Sequence, residues 1–134
     1  MKLILPETLR EQILAQARVA HPGECCGLVI GRRDTGAAIA LSLHPARNLS
    51  DQDDHFEIDP ADQFAALRLA RAAQREVIGC YHSHPNGKAQ PSAADLAGAG
   101  EEGFFWLIAA DAELTAFVYA DRMFRSADLA TSPS

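Results

Sequence analysis

The 134-residue sequence lacks several features that would assign it to a class directly. It has no apolar run of membrane-spanning length, and the N-terminal apolar stretch at residues 3–5 ends at Pro6, too early for the apolar core of a signal peptide. The basic residues form no run longer than Arg32-Arg33, and the formal net charge of −6 disfavours nucleic acid as a partner. We therefore expect a cytoplasmic protein that binds neither membrane nor nucleic acid.

Cysteine is also scarce, and its three positions have neither the paired spacing of a zinc knuckle nor that of a secreted disulfide framework. The ordinary interpretation of Cys25, Cys26 and Cys80 is that they are small buried hydrophobic residues. If Cys80 lies in a strand, alternation places it on the same face as His82 and His84. A fourth metal ligand at Cys80, or a redox disulfide with Cys26, therefore stays open.

Internal repeats and low-complexity segments are missing as well, and 48% of the residues are apolar, enough for the core of one domain. The chain has neither His-Glu-x-x-His nor the His-x-Glu and Pro-Cys-x-x-Cys pair, which argues against thermolysin-type proteolysis and base deamination. We predict a single domain over residues 1–125 and a polar, flexible tail over residues 126–134.

Against these absences stands one dense motif, His-x-His-x7-Ser-x2-Asp, formed by His82, His84, Ser92 and Asp95. Side chains two residues apart in a strand project to the same face, so the histidines can share one metal ion. A carboxylate from the next element supplies a third ligand, and three protein ligands plus water are typical of catalytic zinc. Ser92 and Asp95 also have the form of a helix capping pair, and capping does not exclude catalysis.

Glu24 stands at the head of an apolar run bounded by glycines, residues 25–30, that predicts a buried strand. A carboxylate at the start of a core strand is costly unless it is hydrogen-bonded or close to a cation. Glu24 therefore either lies in the preceding loop in contact with solvent, or faces the metal as a general base.

These residues together resemble the JAMM (MPN+) metalloprotease family, compact prokaryotic type, whose motif is a distant Glu followed by His-x-His-x7-Ser-x2-Asp. The resemblance implies one zinc ion with a catalytic water on His82, His84 and Asp95, Glu24 as acid/base, and Ser92 as donor to the oxyanion. It also implies cleavage after the C-terminal glycine of a ubiquitin-like protein. The compact domain resembles prokaryotic members of the family, some of which process ubiquitin-like sulfur carriers, and this resemblance favours a sulfur carrier with a Gly-Gly tail over polyubiquitin as partner.

Two other functions remain to be separated from this one. The first is a non-catalytic MPN-type interaction domain, although such domains typically lack the metal ligands that are present here. The second is a general metallohydrolase of small peptides or amides. Both keep the same fold.

The periodicity predicts an α/β (α+β) fold, in which helices flank a mixed β-sheet, and the resemblance implies the JAMM/MPN fold, which is similar to the cytidine deaminases. Helices are predicted at residues 7–20, 60–76 and 92–100. Strands are predicted at residues 25–30, 37–43, 55–58, 77–82, 104–110, 114–120 and 123–124. In the second helix Phe64, Leu67 and Leu69 to Ala70 are expected to face inward.

The remaining polar residues are expected to be solvated or to serve in packing. This applies to three histidines, His21, His44 and His55, and to the acidic loop residues Asp51, Asp53 and Asp54, which could also meet a basic patch on a partner.

Overall fold

A mixed sheet of eight strands organises the structure, a computed structural model that describes residues 1–51 and 56–132. The strands are β1 (Lys2–Ile4), β2 (Cys26–Asp34), β3 (Ala37–Ala46), β4 (Glu76–Ser83), β5 (Phe105–Ala110), β6 (Glu113–Ala120), β7 (Met123–Ser126) and β8 (Asp128–Ala130). They are ordered β7-β6-β5-β4-β2-β3-β1-β8. Strand β4 pairs antiparallel with β2 and parallel with β5, so it lies inside the sheet. The predicted mixed sheet flanked by helices is confirmed.

Three helices are described: α1 (Glu7–Ala20), α2 (Pro60–Ala72) and α3 (Ala93–Gly98). The first agrees with its predicted apolar stripe, because Ile13 and Leu14 are buried and Leu9 and Ala17 pack against the same core cluster. Helices α1 and α2 pack against different core clusters, one containing Tyr81 and the other Cys80. None of the described helices combines the length and apolarity needed to cross a bilayer.

The predicted inward face of α2 is wrong in part. Phe64, Leu67 and Leu69 are 70%, 49% and 56% exposed, whereas Ala66 and Ala70 are buried. The two alanines are four residues apart and therefore share one face of the helix. Their small side chains let α2 approach the sheet closely, and this packing turns the bulky apolar side chains outward.

The C-terminal segment contains a strand that the predicted tail did not include. Strand β8 pairs in parallel with β1, and the register places Lys2, Leu3 and Ile4 opposite Asp128, Leu129 and Ala130. Both strands are only three residues long, too short for a periodic pattern to reveal them. The domain boundary near residue 125 stays a prediction.

The strand predicted at residues 55–58 is not present in the described part of that range. Ile58 forms only an isolated antiparallel bridge with Asn48. His55 lies outside the described residues, as do Asp53 and Asp54 of the acidic loop. Strand β3 also continues to Ala46, beyond the predicted end at residue 43.

One glycine in the sheet is required by a close approach. Gly27 pairs with Tyr81 across β2 and β4, and a Cβ atom built on Gly27 would overlap the Tyr81 ring. The Tyr81 hydroxyl donates a hydrogen bond of 2.6 Å to Oε1 of Gln16 on α1. The missing side chain therefore leaves room for an aromatic ring that connects the sheet to α1.

Candidate metal centre

The two motif histidines lie at the C-terminal end of β4. His82 pairs with Cys26 of β2 on one side and with Ile108 of β5 on the other. The backbone N–H of His84 donates to the carbonyl oxygen of Ala109 at 2.8 Å, which continues the pairing one residue beyond β4. Both side chains are buried. The sheet therefore fixes the backbone of His82 from both neighbouring strands and the backbone of His84 from β5.

Three motif side chains converge at this point. The Nε2 atoms of His82 and His84 are 2.9 Å apart. Asp95 reaches both of them, with Oδ1 3.0 Å from Nε2 of His82 and Oδ2 3.0 Å from Nε2 of His84. The spacing read from the sequence thus corresponds to a buried cluster of two imidazoles and one carboxylate.

Asp95 is brought to the histidines by the start of α3. Ser92 is the N-cap of this helix, and its Oγ accepts a hydrogen bond of 3.0 Å from the Asp95 N–H. In return, Oδ2 of Asp95 accepts a bond of 2.8 Å from the Ser92 N–H, which completes a capping box. The structure thus contains the capping pair that the sequence allowed, and the capping residue Asp95 also faces the histidines.

Glu24 lies in the segment just before β2 and is 6% exposed, so it is not the solvated loop residue of the alternative interpretation. One ligand atom each from Glu24, His82 and His84 lie within 4.8 Å of one another, and such a group could hold a metal ion. The Asp95 oxygens are in direct contact with both histidines, each 3.0 Å from one Nε2 atom. Both carboxylates therefore lie close enough to the imidazoles to take part in a metal site.

Two residues that were not singled out as functional hold the Glu24 segment in place. Oγ of Ser83, the residue between the histidines, accepts a hydrogen bond of 2.9 Å from the Cys25 N–H. The Asn48 side chain donates to the Glu24 carbonyl oxygen at 2.9 Å. Ser83 lies between the histidines in β4 and is buried. Its place in a predicted strand beside two candidate ligands is the sequence signal that could have indicated a structural role.

The two imidazoles are oriented by different contacts. Nδ1 of His84 is 2.8 Å from the Lys88 carbonyl oxygen, which can only accept, so Nδ1 carries a proton and Nε2 faces the cluster. The His82 ring stacks on Phe56 with centroids 4.2 Å apart. Nδ1 of His82 is buried and has no hydrogen-bond partner among the residues described. Neither Lys88 nor Phe56 belongs to a sequence motif.

Burial and the contacts with Asp95 shift the pKa values of the two histidines in opposite directions. Burial lowers the pKa of His82 below its ordinary value despite the hydrogen bond to Asp95, which keeps this imidazole neutral. Burial also opposes the charged forms of Asp95 and His84. The hydrogen bond between these two side chains favours their charged forms and helps to offset the effect of burial. The pKa of Asp95 is therefore held well below its usual range and the pKa of His84 is raised.

The spacing of the donor atoms also fits a small divalent metal. Ligand bonds of roughly 2.0–2.1 Å in a tetrahedral site place donor atoms about 3.3 Å apart. The nitrogen–nitrogen and nitrogen–oxygen distances of 2.9 and 3.0 Å are only slightly shorter. His82, His84 and Asp95 could therefore hold such an ion with little movement.

The cysteines do not join this cluster in the described part of the chain. All three are free thiols, and the candidate metal-binding group contains no sulfur ligand. Burial raises the pKa of the Cys80 thiol well above its usual value and that of Cys26 to about 12. Both thiols are buried and neutral, as small hydrophobic residues would be.

The other sequence candidates in the described part of the chain do not belong to the candidate metal-binding group. His21 and Asp51 are exposed. Nε2 of His44 is 3.7 Å from Oδ1 of Asp62, at the start of α2. Phe105 and Trp106 are buried in β5, and the Trp106 ring meets the His82 ring edge-on with centroids 5.8 Å apart.

Comparisons with known proteins agree with the fold and the site. The family model described as "Prokaryotic homologs of the JAB domain" matches residues 6–125. Desampylase from Haloferax volcanii is 31% identical over 135 residues, which cover 96% of this chain and 96% of the relative. The probable TtuB-protein conjugate cleaving protease from Thermus thermophilus is 34% identical over 98 residues, which cover 70% of this chain and 61% of the relative.

A solved structure gives the same result. The solution structure of protein DSY2949 from Desulfitobacterium hafniense has a TM-score of 0.86 and 32% sequence identity, and the match covers 95% of this chain and 90% of that one. The family match includes Glu24, both motif histidines, Ser92 and Asp95. The chain therefore belongs to the prokaryotic homologues of the JAB domain, the JAMM family that its motif resembles, and it is a hydrolase of the peptidase type.

Proposed function

We propose that this chain is a zinc-dependent peptidase and isopeptidase that cleaves the bond after the C-terminal glycine of a ubiquitin-like protein, in particular of a sulfur carrier. His82, His84 and Asp95 hold the zinc ion, Glu24 is the general acid and base, and Ser92 is a hydrogen-bond donor to the oxyanion. Because its cysteines are free thiols, we place its activity in the cytoplasm.

The proposal rests chiefly on the convergence of the two imidazoles and Asp95 within 2.9 to 3.0 Å, with the buried Glu24 close to both histidines. Two histidines and one carboxylate are a ligand set typical of catalytic zinc, which leaves one position for water. A bound zinc ion supplies a Lewis acid for the substrate carbonyl and makes its water a stronger acid. The protein supplies the ligands and the proton transfers.

Glu24 carries the proton between the two halves of the reaction. Its carboxylate removes a proton from the attacking water, and the oxygen of that water forms the new bond to the glycine carbonyl carbon. When the carbon–nitrogen bond breaks, Glu24 returns the proton to the departing amine. The products are a free glycine carboxylate on the carrier and the amine of the leaving group, so no further reactant is required.

Ser92 is oriented for its role by the capping box. Its oxygen already accepts the Asp95 N–H, so the hydroxyl hydrogen remains available to the substrate. Because the same box holds Asp95, the donor keeps a fixed position relative to the third metal ligand. A preorganised donor of this kind is worth on the order of 100-fold or more in turnover.

The preference for a glycine-ended tail is supported by the cavity beside Asp95. This cavity of about 340 Å³ is lined by Asp95 itself, and its other lining residues include Ala94, Gly98 and Gly100. The small residues near Asp95 leave room for an extended chain without side chains. The names desampylase and TtuB-protein conjugate cleaving protease support a ubiquitin-like protein as the substrate class.

Intact-mass spectrometry tests the proposal directly. The zinc-loaded protein is mixed with the small Gly-Gly-ended carriers of its own host, each extended by one residue, with and without a chelator. We expect trimming to the bare Gly-Gly terminus that the chelator abolishes. The control variant Glu24→Gln should keep zinc but lose turnover by on the order of 10²–10⁴-fold, because the metal ligands remain and the base is gone.

The alternatives predict other results. Stoichiometric zinc without any hydrolysis would favour a non-catalytic interaction domain. Equal cleavage of a short free peptide with the same end would favour a general small-peptide hydrolase. A Glu24→Gln variant with near wild-type turnover would overturn the assignment of the base.

A further inference from the structure

A cavity of about 480 Å³ lies on the α1 side of the metal centre, and the proposed function does not use it. Its walls come from the last turn of α1, the turn at residues 21–23, the end of β4 and the turn between β5 and β6. His84 lines this cavity directly. A group bound here would therefore lie next to the proposed zinc ion.

The position of this cavity indicates which part of the substrate it receives. The cavity beside Asp95, on the α3 side, is the one suited to the glycine tail. The cavity at His84 includes Gly23, which immediately precedes Glu24 in the chain. Because Glu24 protonates the departing amine, the leaving group belongs on the Glu24 side of the scissile bond.

A third cavity borders Glu24 but not the histidines or Asp95. It is lined otherwise by uncharged side chains, including Gln16, Val19 and Asn48. A leaving group must be close to the metal as well as to Glu24, since its nitrogen is bonded to the carbonyl carbon under attack. The cavity at His84 meets this requirement better.

The charges of the His84 cavity distinguish its two walls. Arg18 lines the cavity from α1, and Asp111 lines it from the turn between β5 and β6. Among the residues described, the Arg18 guanidinium takes part in no ion pair, including with Asp111. A negative group would therefore be attracted to the α1 wall and repelled from the β5–β6 turn.

We propose that the His84 cavity binds the amino acid or short peptide released from the carrier's C-terminus, and that Arg18 pairs with its free α-carboxylate. The inference rests on the proposed function and adds the chemical class of the leaving group. An arginine fork matches a carboxylate with two parallel hydrogen bonds, and for a single-residue extension that carboxylate is one carbon away from the departing amine. A lysine side chain as leaving group offers no carboxylate at this position.

Paired substrates test this inference. One carrier ends in Gly-Gly-Ala with a free carboxylate, and the other ends in the same residues as a C-terminal amide. We expect the wild-type protein to cleave the carboxylate form with kcat/KM about tenfold higher, a preference of typical size for one charged contact. Arg18→Ala should bring the ratio close to one, chiefly by lowering kcat/KM for the carboxylate form.

Two further variants serve as controls. Arg32→Ala removes an exposed arginine near the C-terminal end of β2, which does not line this cavity, and should retain the full preference. Arg18→Lys keeps the charge but not the fork, and should retain part of the preference. A wild-type ratio of one, or an Arg18→Ala variant that keeps the preference, would overturn the assignment.

A binding measurement separates failure of this inference from failure of the proposed function. Titration of the zinc-loaded protein with L-alanine should shift the NMR signal of the Arg18 Nε–H, whereas L-alaninamide should not. A shift specific to L-alanine supports the carboxylate site even if no carrier is cleaved. Equal shifts with both compounds, or none with either, refute it even if cleavage is observed.

Discussion

The proposed metal centre is assembled from two regions that are held in place differently. His82 and His84 belong to the sheet-held region, the end of β4, which is paired with β2 and β5. Ser92 and Asp95 belong to the helix-held region, the start of the six-residue α3, where the capping box joins residues only three apart. The first region depends on contacts across the whole sheet, and the second mainly on local ones.

This difference indicates what the metal contributes to each region. Sheet pairing fixes the histidine backbones whether or not an ion is bound. A six-residue helix is not stable in isolation, so α3 needs tertiary contacts to stay folded. Among these contacts are those of Asp95 with the two imidazoles. We therefore expect the metal to stabilise the helix-held region more than the sheet-held one.

The largest expected effect follows from removing a ligand in the sheet-held region. His84→Ala should lose bound zinc and lower turnover by more than about 10³-fold, because neither ion nor activated water remains. Elemental analysis of metal per protein, together with the carrier-trimming assay, measures both effects. Asp95→Asn is the matched variant in the helix-held region, since an amide oxygen can still accept the Ser92 N–H. Full zinc occupancy of His84→Ala would contradict the ligand assignment.

The next effect isolates the hydroxyl of the helix-held region. Ser92→Ala should lower kcat on the order of 100-fold while zinc binding is retained, because a donor to the oxyanion is lost but no ligand is. Stopped assays at saturating carrier give kcat, and elemental analysis gives the zinc content. Ser92→Thr keeps both the cap and the donor and should retain most of the activity. Loss of zinc together with activity in Ser92→Ala would point to a purely structural role of the capping box.

A smaller effect concerns the proton that competes with the metal. The pKa of His84 is raised, so in the metal-free protein this imidazole gains a proton as the pH falls through a value above 6.5. Zinc must displace that proton from Nε2, so apparent zinc affinity should decrease about tenfold per pH unit below this pKa and level off above it. Competition titrations with a zinc chelator between pH 5.5 and 8.5 measure the slope. Affinity that does not change with pH would contradict the shift at His84.

The smallest effect tests the comparison itself. Removal of zinc should increase amide hydrogen exchange in α3 several-fold, with a smaller change in β4, because the helix loses its tertiary anchor and the strand keeps its neighbours. Exchange measured by mass spectrometry on zinc-loaded and chelator-treated protein gives both values. Equal changes in the two regions would show that they are held alike.

The sequence predicted which residues converge at the candidate metal centre, because its spacing has direct geometric meaning. Alternation in a strand places His82 and His84 together, and Ser-x-x-Asp forms the start of a helix that turns Asp95 toward them. The contacts that support these residues could not be predicted from the sequence. Asn48 and the Lys88 carbonyl lie in segments without periodicity, and their roles depend on how distant parts of the chain meet.

The fold was predicted to a similar extent. Helix α1 has one apolar stripe, and that stripe is buried as expected. Helix α2 has bulky apolar residues on one side and alanines on another, and the alanine side packs because it allows a closer approach to the sheet. Hydrophobicity alone favours the bulky side and therefore gave the wrong face. Strands β1 and β8 are defined by each other and by β3, and not by their own residues.

The contact between Gly27 and Tyr81 has a consequence for how this protein can change over time. A side chain at Gly27 has no room while the Tyr81 ring is present, and a smaller residue at 81 would leave a hole and free Gln16 of its partner. Each single replacement is therefore costly, whereas a paired replacement exchanges one filled volume for another. Positions 27 and 81 should therefore covary in evolution, although neither residue is a proposed metal ligand.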